Sequence, residues 1–261
     1  MKRILVFVAS GLSTRMGGFP KALAQVGNTR VILNAINCAN QYYDDIFIIT
    51  NGRVKPSFDE VISNDGNRAK VREIITGKGD AESVWKSLML VQNEVGESFD
   101  ATFCWGDAFF KTNKAFESIM SDKISIEDIK SVLVGCSYDN DPYAYFDVFT
   151  KGGDYEQLYI RKSYFKKNDG GVKIGVHDQC IFRCISSVFI GCLNRYKNEN
   201  GYDGENYLLS PTNEIGLLKS FEFLDRIGRP AKVVIIPDKN VFSFNTQEEL
   251  AEISKLEFLN R

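Results

Sequence analysis

Two cations set among small residues mark the segment of this chain best suited to chemistry. From Ala9 to Leu23 the chain reads Ala-Ser-Gly-Leu-Ser-Thr-Arg-Met-Gly-Gly-Phe-Pro-Lys-Ala-Leu. Gly11, Gly17 and Gly18 let backbone N–H groups approach an anion closely, while Arg15 and Lys21 bring positive charge to it. Pro20 restrains the backbone next to Lys21. The segment is no P-loop, because Lys21 follows Pro20 rather than Gly and neither Ser nor Thr comes after it. It is no dinucleotide GxGxxG either. Later in the chain, Thr246 and Glu249 have the spacing of a capping box, which leaves Asn245 unexplained. Arg161, Lys162, Lys166 and Lys167 form a basic run that reads first as a solvated face and second as a greeting for an anionic substrate. The single histidine, His177, reads as structural or exposed before it reads as an acid/base.

These residues need a frame. Ile4 to Ala9 is a continuous apolar run, as in a strand buried on both faces of a parallel sheet, and the glycine-rich segment follows it directly. Val31, Ile32, Ala35, Ile36 and Ala39 recur at helical spacing between Thr29 and Tyr43. Ile46–Thr50 predicts a second strand, Glu73–Thr76 a third, and Val84, Leu88 and Val91 a second helix. Ala101–Trp105 predicts a fourth strand ending at Gly106-Asp107. This β-loop-α-β-β-α-β order implies a mostly parallel sheet covered on both faces, with ligands at the carboxyl ends of its strands. The glycine-rich loop and Asp107 therefore belong on one edge. The second half predicts short strands at 132–134, 145–149, 158–160 and 172–176, with hairpin turns at Gly152-Gly153 and at 168–171. Helices near 186–196 and 214–225, a strand at 232–236 and a last helix from about Gln247 to Leu259 complete it.

Composition narrows the function classes. Over 261 residues, 44% apolar and 25% charged is ordinary for a folded chain and excludes extensive disorder. A formal net charge of −2 gives no case for a nucleic-acid footprint or an anionic membrane surface. The opening apolar run is too short to span a bilayer or to serve as a secretory segment, so a soluble, cytoplasmic protein is expected. The six cysteines form no Cys-x2-Cys pair and read as reduced, mostly buried thiols rather than a zinc site.

The string Val8-Ala9-Ser10-Gly11-Leu12-Ser13-Thr14-Arg15-Met16, with Pro20-Lys21, resembles the nucleotidyltransferase signature L-A-A-G-x-G-T-R-M-x(n)-P-K. Ser10 stands for the second Ala and Ser13 for the usual Gly. The resemblance implies that Ala9, Ser10 and Gly11 wrap a nucleoside triphosphate and that Arg15 and Lys21 act on its phosphates as catalytic groups. Gly77-Lys78-Gly79-Asp80-Ala81 falls where relatives carry a base-contacting G-T-A-x-A, which places Thr76, Gly77, Gly79 and Asp80 at the nucleotide. The uracil-reading Gln of relatives is absent, and the stretch through Ser83-Val84 is faintly similar to cytidylyltransferases of isoprenoid synthesis. Trp105-Gly106-Asp107-Ala108 matches the family's strand-end G-D, and Asn245-Thr246 opens its late N-T-x-x-D-L. The resemblance makes Asp107 and Asn245 the protein ligands of Mg²⁺, and one carboxylate, one amide oxygen, phosphate oxygens and waters make a reasonable shell.

On the substrate side, Asp141-Pro142-Tyr143-Ala144-Tyr145-Phe146-Asp147-Val148 resembles the D-P-x-G-Y-G-R-V of N-acetylglucosamine-1-phosphate uridylyltransferases, and Gly204–Leu208 resembles their G-E-x-Y-L. This implies acceptor contacts at Tyr145, Phe146, Arg161 and Asp178. Departures are concentrated here: Ala144 and Phe146 replace two glycines, Leu158-Tyr159-Ile160 replaces I-V-E, and Asp178-Gln179-Cys180 replaces N-T-G.

The fold implied is α/β and Rossmann-like, of the nucleotide-diphospho-sugar (GT-A-like) kind. A single domain is expected over 1–261, with a nucleotide half at 1–110 and a substrate half at 111–261. The expected activity is Mg²⁺-dependent joining of an NTP, UTP or CTP favoured, to a sugar 1-phosphate, giving an NDP-sugar and pyrophosphate. The alternative is a cytidylyltransferase acting on a polyol, amino-alcohol or other non-sugar phosphate. A GT-A glycosyltransferase, through the D-x-D at Asp139-Asn140-Asp141, and a non-catalytic nucleotide-binding module are lesser readings. The partners expected are the NTP and a phosphorylated small-molecule acceptor, with no nucleic acid or membrane and a possible homo-oligomer.

Overall fold

In the computed structural model, β1 (Arg3–Ala9) has two buried faces with different owners. Ile4, Val6 and Val8 join one apolar cluster, and Leu5 and Phe7 join another on the opposite side of the sheet. That double burial is why the run is apolar at every position rather than at alternate ones. The residues described are 1–121, 125, 129–139, 144–150, 157–165, 175–237 and 240–255.

After β1 comes the glycine-rich loop, then a small ribbon of β2 (Gln25–Val26) and β3 (Thr29–Arg30), then α1 (Val31–Ala39). β4 (Asp45–Thr50), α2 (Lys55–Asn64) and β5 (Lys70–Glu73) lead to α3 (Asp80–Val95) and β6 (Asp100–Trp105). β7 (Phe109–Phe110) and α4 (Lys114–Ile119) close the first half. β8 (Leu133–Asp139), β9 (Ala144–Thr150), β10 (Leu158–Phe165) and β11 (Gly175–Ile185) follow. Then come α5 (Ser186–Glu199), α6 (Leu217–Arg226), β12 (Ala231–Ile235), β13 (Val241–Phe242) and α7 (Gln247–Ile253).

One nine-stranded sheet has the order β5-β4-β1-β6-β11-β8-β12-β10-β9. Seven of the nine strands run the same way; β11 and β10 run against their neighbours. α3, α5 and α6 cover one face, and α1, α2 and α4 cover the other. The chain leaves β1 toward β4 and β5, then returns to β6 on the other side of β1. This topological switch opens a crevice at the strands' carboxyl ends, where the glycine-rich loop and the turn after β6 both emerge.

Three expectations are corrected. The third strand ends at Glu73 instead of running through Thr76, and Ile75 is 86% exposed. β5 is an edge strand tied down by ion pairs, Lys70 to Asp45 and Arg72 to Glu94, so it buries only Val71 while its other residues are charged, and the apolar Ile74-Ile75 lies beyond it. α2 had no counterpart, because it buries only Phe58 and Ile62 and has a weak apolar stripe. β9 and β10 are paired neighbours in the sheet, whereas β10 and β11 are not. Gly152-Gly153, 168–171 and 172–174 lie outside the described residues, as does the expected end of the last helix.

The parallel and antiparallel parts of the sheet meet between β6 and β11. Arg183 Nε and Nη2 donate to Asp100 Oδ1 and Oδ2 at 2.9 and 2.8 Å across that boundary, and Nη1 donates to the Ile119 carbonyl at 3.1 Å. Both side chains of this pair are 5% exposed.

Candidate active site

The loop after β1 is anchored by one residue. Met16 is buried in a small third cluster with Ala24, Val26, Val31, Phe109, Phe244 and Ile253. Phe109 lies just past Asp107, and Phe244 just before Asn245. A single apolar knot thus fastens three separate arms of chain beneath one site. Ser13 has φ 50°, and Gly17 and Gly18 have φ 64° and 82°, so the chain reverses tightly around Arg15. Gly106 is required by proximity: a Cβ there would meet Ala9 Cβ at 2.6 Å.

β7 and β13 pair antiparallel, Phe110 with Val241 and Phe109 with Phe242. This two-residue ribbon brings Asp107 and Asn245 together from positions 138 residues apart in sequence. Lys21 Nζ donates to Asp107 Oδ2 at 2.7 Å and to Asn245 Oδ1 at 3.1 Å. The capping box forms and reaches further than a cap needs to: the Glu249 N–H donates to Thr246 Oγ1 at 3.2 Å, while the Asn245 N–H donates to the Glu249 carboxylate. The box therefore sets the backbone of Asn245, which answers why Asn245 precedes it.

These groups line one cleft of about 1080 Å³. Ala9, Ser10, Gly11, Arg15, Lys21, Thr76, Gly77, Gly79, Asp80, Asp107, Asp178 and Asn245, all singled out from sequence, lie on its walls. Thr76 Oγ1 donates to the Ser10 carbonyl at 2.9 Å, and Asn51 Nδ2 donates to the same oxygen at 3.2 Å. Asn51 is a supporting residue that sequence reading missed, because its bond to Ser10 forms only across the folded sheet. At the head of α3, Asp80 Oδ1 accepts from the Ala81 and Leu217 N–H groups at 2.9 and 2.6 Å. Gly79, at φ 90°, sits so close to the Ile215 carbonyl that a Cβ would reach 2.2 Å from it. The solvent-facing Asp80 carboxyl is pushed above its ordinary range by the protein packed around it, and these N–H donors only partly offset that.

The far wall is built by a β-bulge. The β11–β8 register slips between Asp178 and Phe182, and Cys180 adopts φ 57°. The bulge re-aims Asp178, Gln179 and Cys180 toward the cleft. Asp178 Oδ1 accepts the Cys180 N–H at 3.0 Å, and burial pushes the Asp178 carboxyl up. Asp139, His177 and Glu214 share this wall, and sequence reading did not single them out as acceptor contacts.

Three expected acceptor contacts are not brought to the cleft. The Tyr145 ring stacks on Tyr164 at 5.1 Å. Phe146 is 4% exposed and packs edge-on to Phe221. Arg161 is exposed, with its guanidinium 5.1 Å from the Phe149 ring centre. Alternation along β9 puts Ala144, not Tyr145, on the cleft wall. Lys162 lies over the Tyr164 ring, so the described part of the basic run rests on aromatic rings of the sheet surface. Lys166, Lys167, Asn140, Asp141, Pro142 and Tyr143 lie outside the described residues. Asn206, in the stretch resembling G-E-x-Y-L, supports the site from behind by accepting from Lys78 Nζ at 2.8 Å.

Residues 5–115 match the family model of the MobA-like NTP transferase domain. That match takes in the glycine-rich loop and Asp107 and covers under half of the chain. A bifunctional IPC transferase and DIPP synthase of Archaeoglobus fulgidus is 29% identical over 146 residues, which is 50% of this chain and 29% of that protein. A likeness in fold alone extends over the rest of the chain. The solved inositol-1-phosphate CTP transferase from T. maritima superposes with a TM-score of 0.67, over 98% of this chain and 97% of that one, at 15% identity. Among the described residues, no helix is long and apolar enough to cross a membrane.

Proposed function

We propose that the chain is a cytidylyltransferase that joins CTP to a phosphorylated polyol, releasing pyrophosphate. The observation that carries this reading is the convergence of Lys21 on Asp107 and Asn245, in one cleft with Arg15 and the loop after β1. Two relatives whose names specify IPC transfer and inositol-1-phosphate CTP transfer support the base and the acceptor class. The lining of the cleft supports the acceptor class independently. Its described lining carries Arg15 and Lys21 beside Asp107, while Asp139, Asp178 and Glu214 stand on the wall that includes β11. Carboxylates accept hydrogen bonds from hydroxyls and repel further anionic groups. The sugar 1-phosphate reading is weaker, because Tyr145, Phe146 and Arg161 do not line the cleft.

The acceptor phosphate is already an anion, so it attacks the α-phosphorus without a general base. The obstacle is bringing an anion to a triphosphate. Arg15 and Lys21 lower that barrier by stabilising charge on the α-phosphate and on the leaving pyrophosphate. Asp107 Oδ2 and Asn245 Oδ1 both lie within hydrogen-bond reach of a single nitrogen, so both can face one cation. A carboxylate and an amide oxygen suit Mg²⁺, which completes its shell with phosphate oxygens and water. When bound there, Mg²⁺ would supply further neutralisation of phosphate charge.

Pyrophosphate release, with CTP, UTP, dTTP, GTP and ATP each crossed against inositol 1-phosphate, other alcohol phosphates and sugar 1-phosphates, tests the reading. Release with CTP and a polyol phosphate is expected. Release only with UTP and a sugar 1-phosphate would restore the other acceptor class, and silence across the panel would remove the transferase reading.

A further inference from the structure

Gln179 holds two parts of the site with one amide. Its Oε1 accepts the Asn240 and Val241 N–H groups at 3.3 and 3.2 Å. Two backbone donors on one atom decide which end of the amide is oxygen. The other end, Nε2, therefore donates to His177 Nε2, 3.1 Å away. A ring nitrogen that accepts a hydrogen bond carries no proton. His177 is thus a neutral imidazole protonated at Nδ1, which donates to the Ser137 carbonyl at 3.2 Å. Gln179 is 2% exposed, so water does not compete for these bonds.

We propose that Gln179 is a positioning residue that locks the tautomer of His177 on the acceptor wall and, through the same amide, sets the segment leading to Asn245. Val241 begins β13, and Asn245 follows four residues later. His177 and Asp178, the residues immediately before Gln179, line the acceptor end of the cleft. A single side chain thus braces both the acceptor wall and the strand that leads to Asn245. The charged groups facing the ring are Asp139, 3.7 Å from Nε2, and the adjacent Asp178. Both favour a protonated ring. Gln179 opposes them by presenting a donor where a protonated Nε2 would need an acceptor.

Gln179→Glu separates the two holds. The carboxylate keeps an oxygen for the two backbone N–H groups but presents an acceptor to His177. His177 is the chain's only histidine, so ¹⁵N-edited NMR reads one imidazole without assignment. At neutral pH the unmodified protein is expected to show a bare Nε2 and a protonated Nδ1. Gln179→Glu is expected to place a proton on Nε2. The kinetic arm rests on the cytidylyltransferase reading: with CTP and inositol 1-phosphate, the variant should raise acceptor KM about tenfold and leave CTP affinity, measured calorimetrically, unchanged. Gln179→Leu, which orphans both backbone donors, should lower kcat as well. A protonated Nε2 in the unmodified protein, or an unaltered ring in Gln179→Glu, would overturn the lock. An altered ring with unchanged acceptor KM would overturn its role in recognition. If the unmodified protein turns over no substrate pair, the functional reading fails and the spectra still decide whether Gln179 holds His177.

Discussion

The two walls of the cleft solve the same problem by different means. The nucleotide wall is made from the ends of parallel strands, β1 and β6, and from loops whose residues are small, glycine-rich or fixed by backbone bonds. The acceptor wall is made from an antiparallel strand, β11, distorted by a bulge so that consecutive side chains enter the cleft. In the proposed reaction the triphosphate is the constant partner, and backbone N–H groups with two cations suit an anion of that kind. An acceptor differs from enzyme to enzyme, so the wall that meets it is made of side chains. That division explains why residues inferred for the nucleotide wall line the cleft, while three of the four inferred for the acceptor do not.

The largest effect should come from breaking the joint between the walls. Asp100 and Arg183 bridge β6 and β11 where the parallel and antiparallel parts of the sheet meet. Asp100→Ala leaves the Arg183 guanidinium buried without its carboxylate and should cost about 3–5 kcal/mol in urea unfolding. The double variant Asp100→Ala/Arg183→Met should recover much of that. A single-variant loss below about 1 kcal/mol would mean that the walls are joined elsewhere.

Next is Asp107→Ala, which strikes the nucleotide wall alone. Turnover should fall on the order of 10²–10³-fold, about 2.7–4 kcal/mol, while the thermal midpoint stays within a few degrees. Near-normal turnover would remove Asp107 from the chemistry.

What was legible follows the same division. The apolar run of β1, the helical spacing of α1 and α3 and the Arg15–Lys21 loop were readable because each depends on local pattern. Asn51 and Gln179 were not. Asn51 acts on carbonyls about forty residues earlier, and Gln179 acts on N–H groups about sixty residues later, through bonds that only the folded sheet creates. The bulge that aims Asp178 left only an indirect trace: Cys180 stands where similar sequences carry Gly, and it adopts φ 57°. Tyr145 was misplaced because alternation sends it to the face opposite Ala144, whereas Phe146 shares that face but packs into the core against Phe221.

Asp178→Asn tests the acceptor wall. Burial disfavours the charged carboxylate and the Cys180 N–H only partly offsets it, so its folded-state value is raised. A raised carboxyl destabilises the fold at neutral pH; the penalty fades as pH falls through the folded value and is gone below the ordinary carboxylate value. Asn keeps the oxygen that accepts the Cys180 N–H but removes the charge. The thermal midpoint should therefore be no lower than that of the unmodified protein, while acceptor KM rises about tenfold and CTP affinity is unchanged. Loss of CTP affinity instead would merge the two walls into one.

The smallest effect sharpens the comparison most. Each wall contains one non-glycine residue in the left-handed region where similar sequences carry Gly: Ser13 at φ 50° and Cys180 at φ 57°. Relief of that strain contributes roughly 1 kcal/mol, and the extra freedom of Gly in the unfolded chain removes about 0.5–1 kcal/mol of it. For Ser13, whose side chain makes no capping hydrogen bond, Ser13→Gly should leave stability equal to or slightly above that of the unmodified protein. Cys180 also packs against the cluster containing Cys104 and Ile181, so Cys180→Gly forfeits that packing and should be less stable by about 1 kcal/mol. Parallel urea titrations decide the order. If Cys180→Gly proved the more stable, the bulge would be the more strained of the two loops, and the acceptor wall would owe its shape to backbone distortion rather than to the side chains packed behind it.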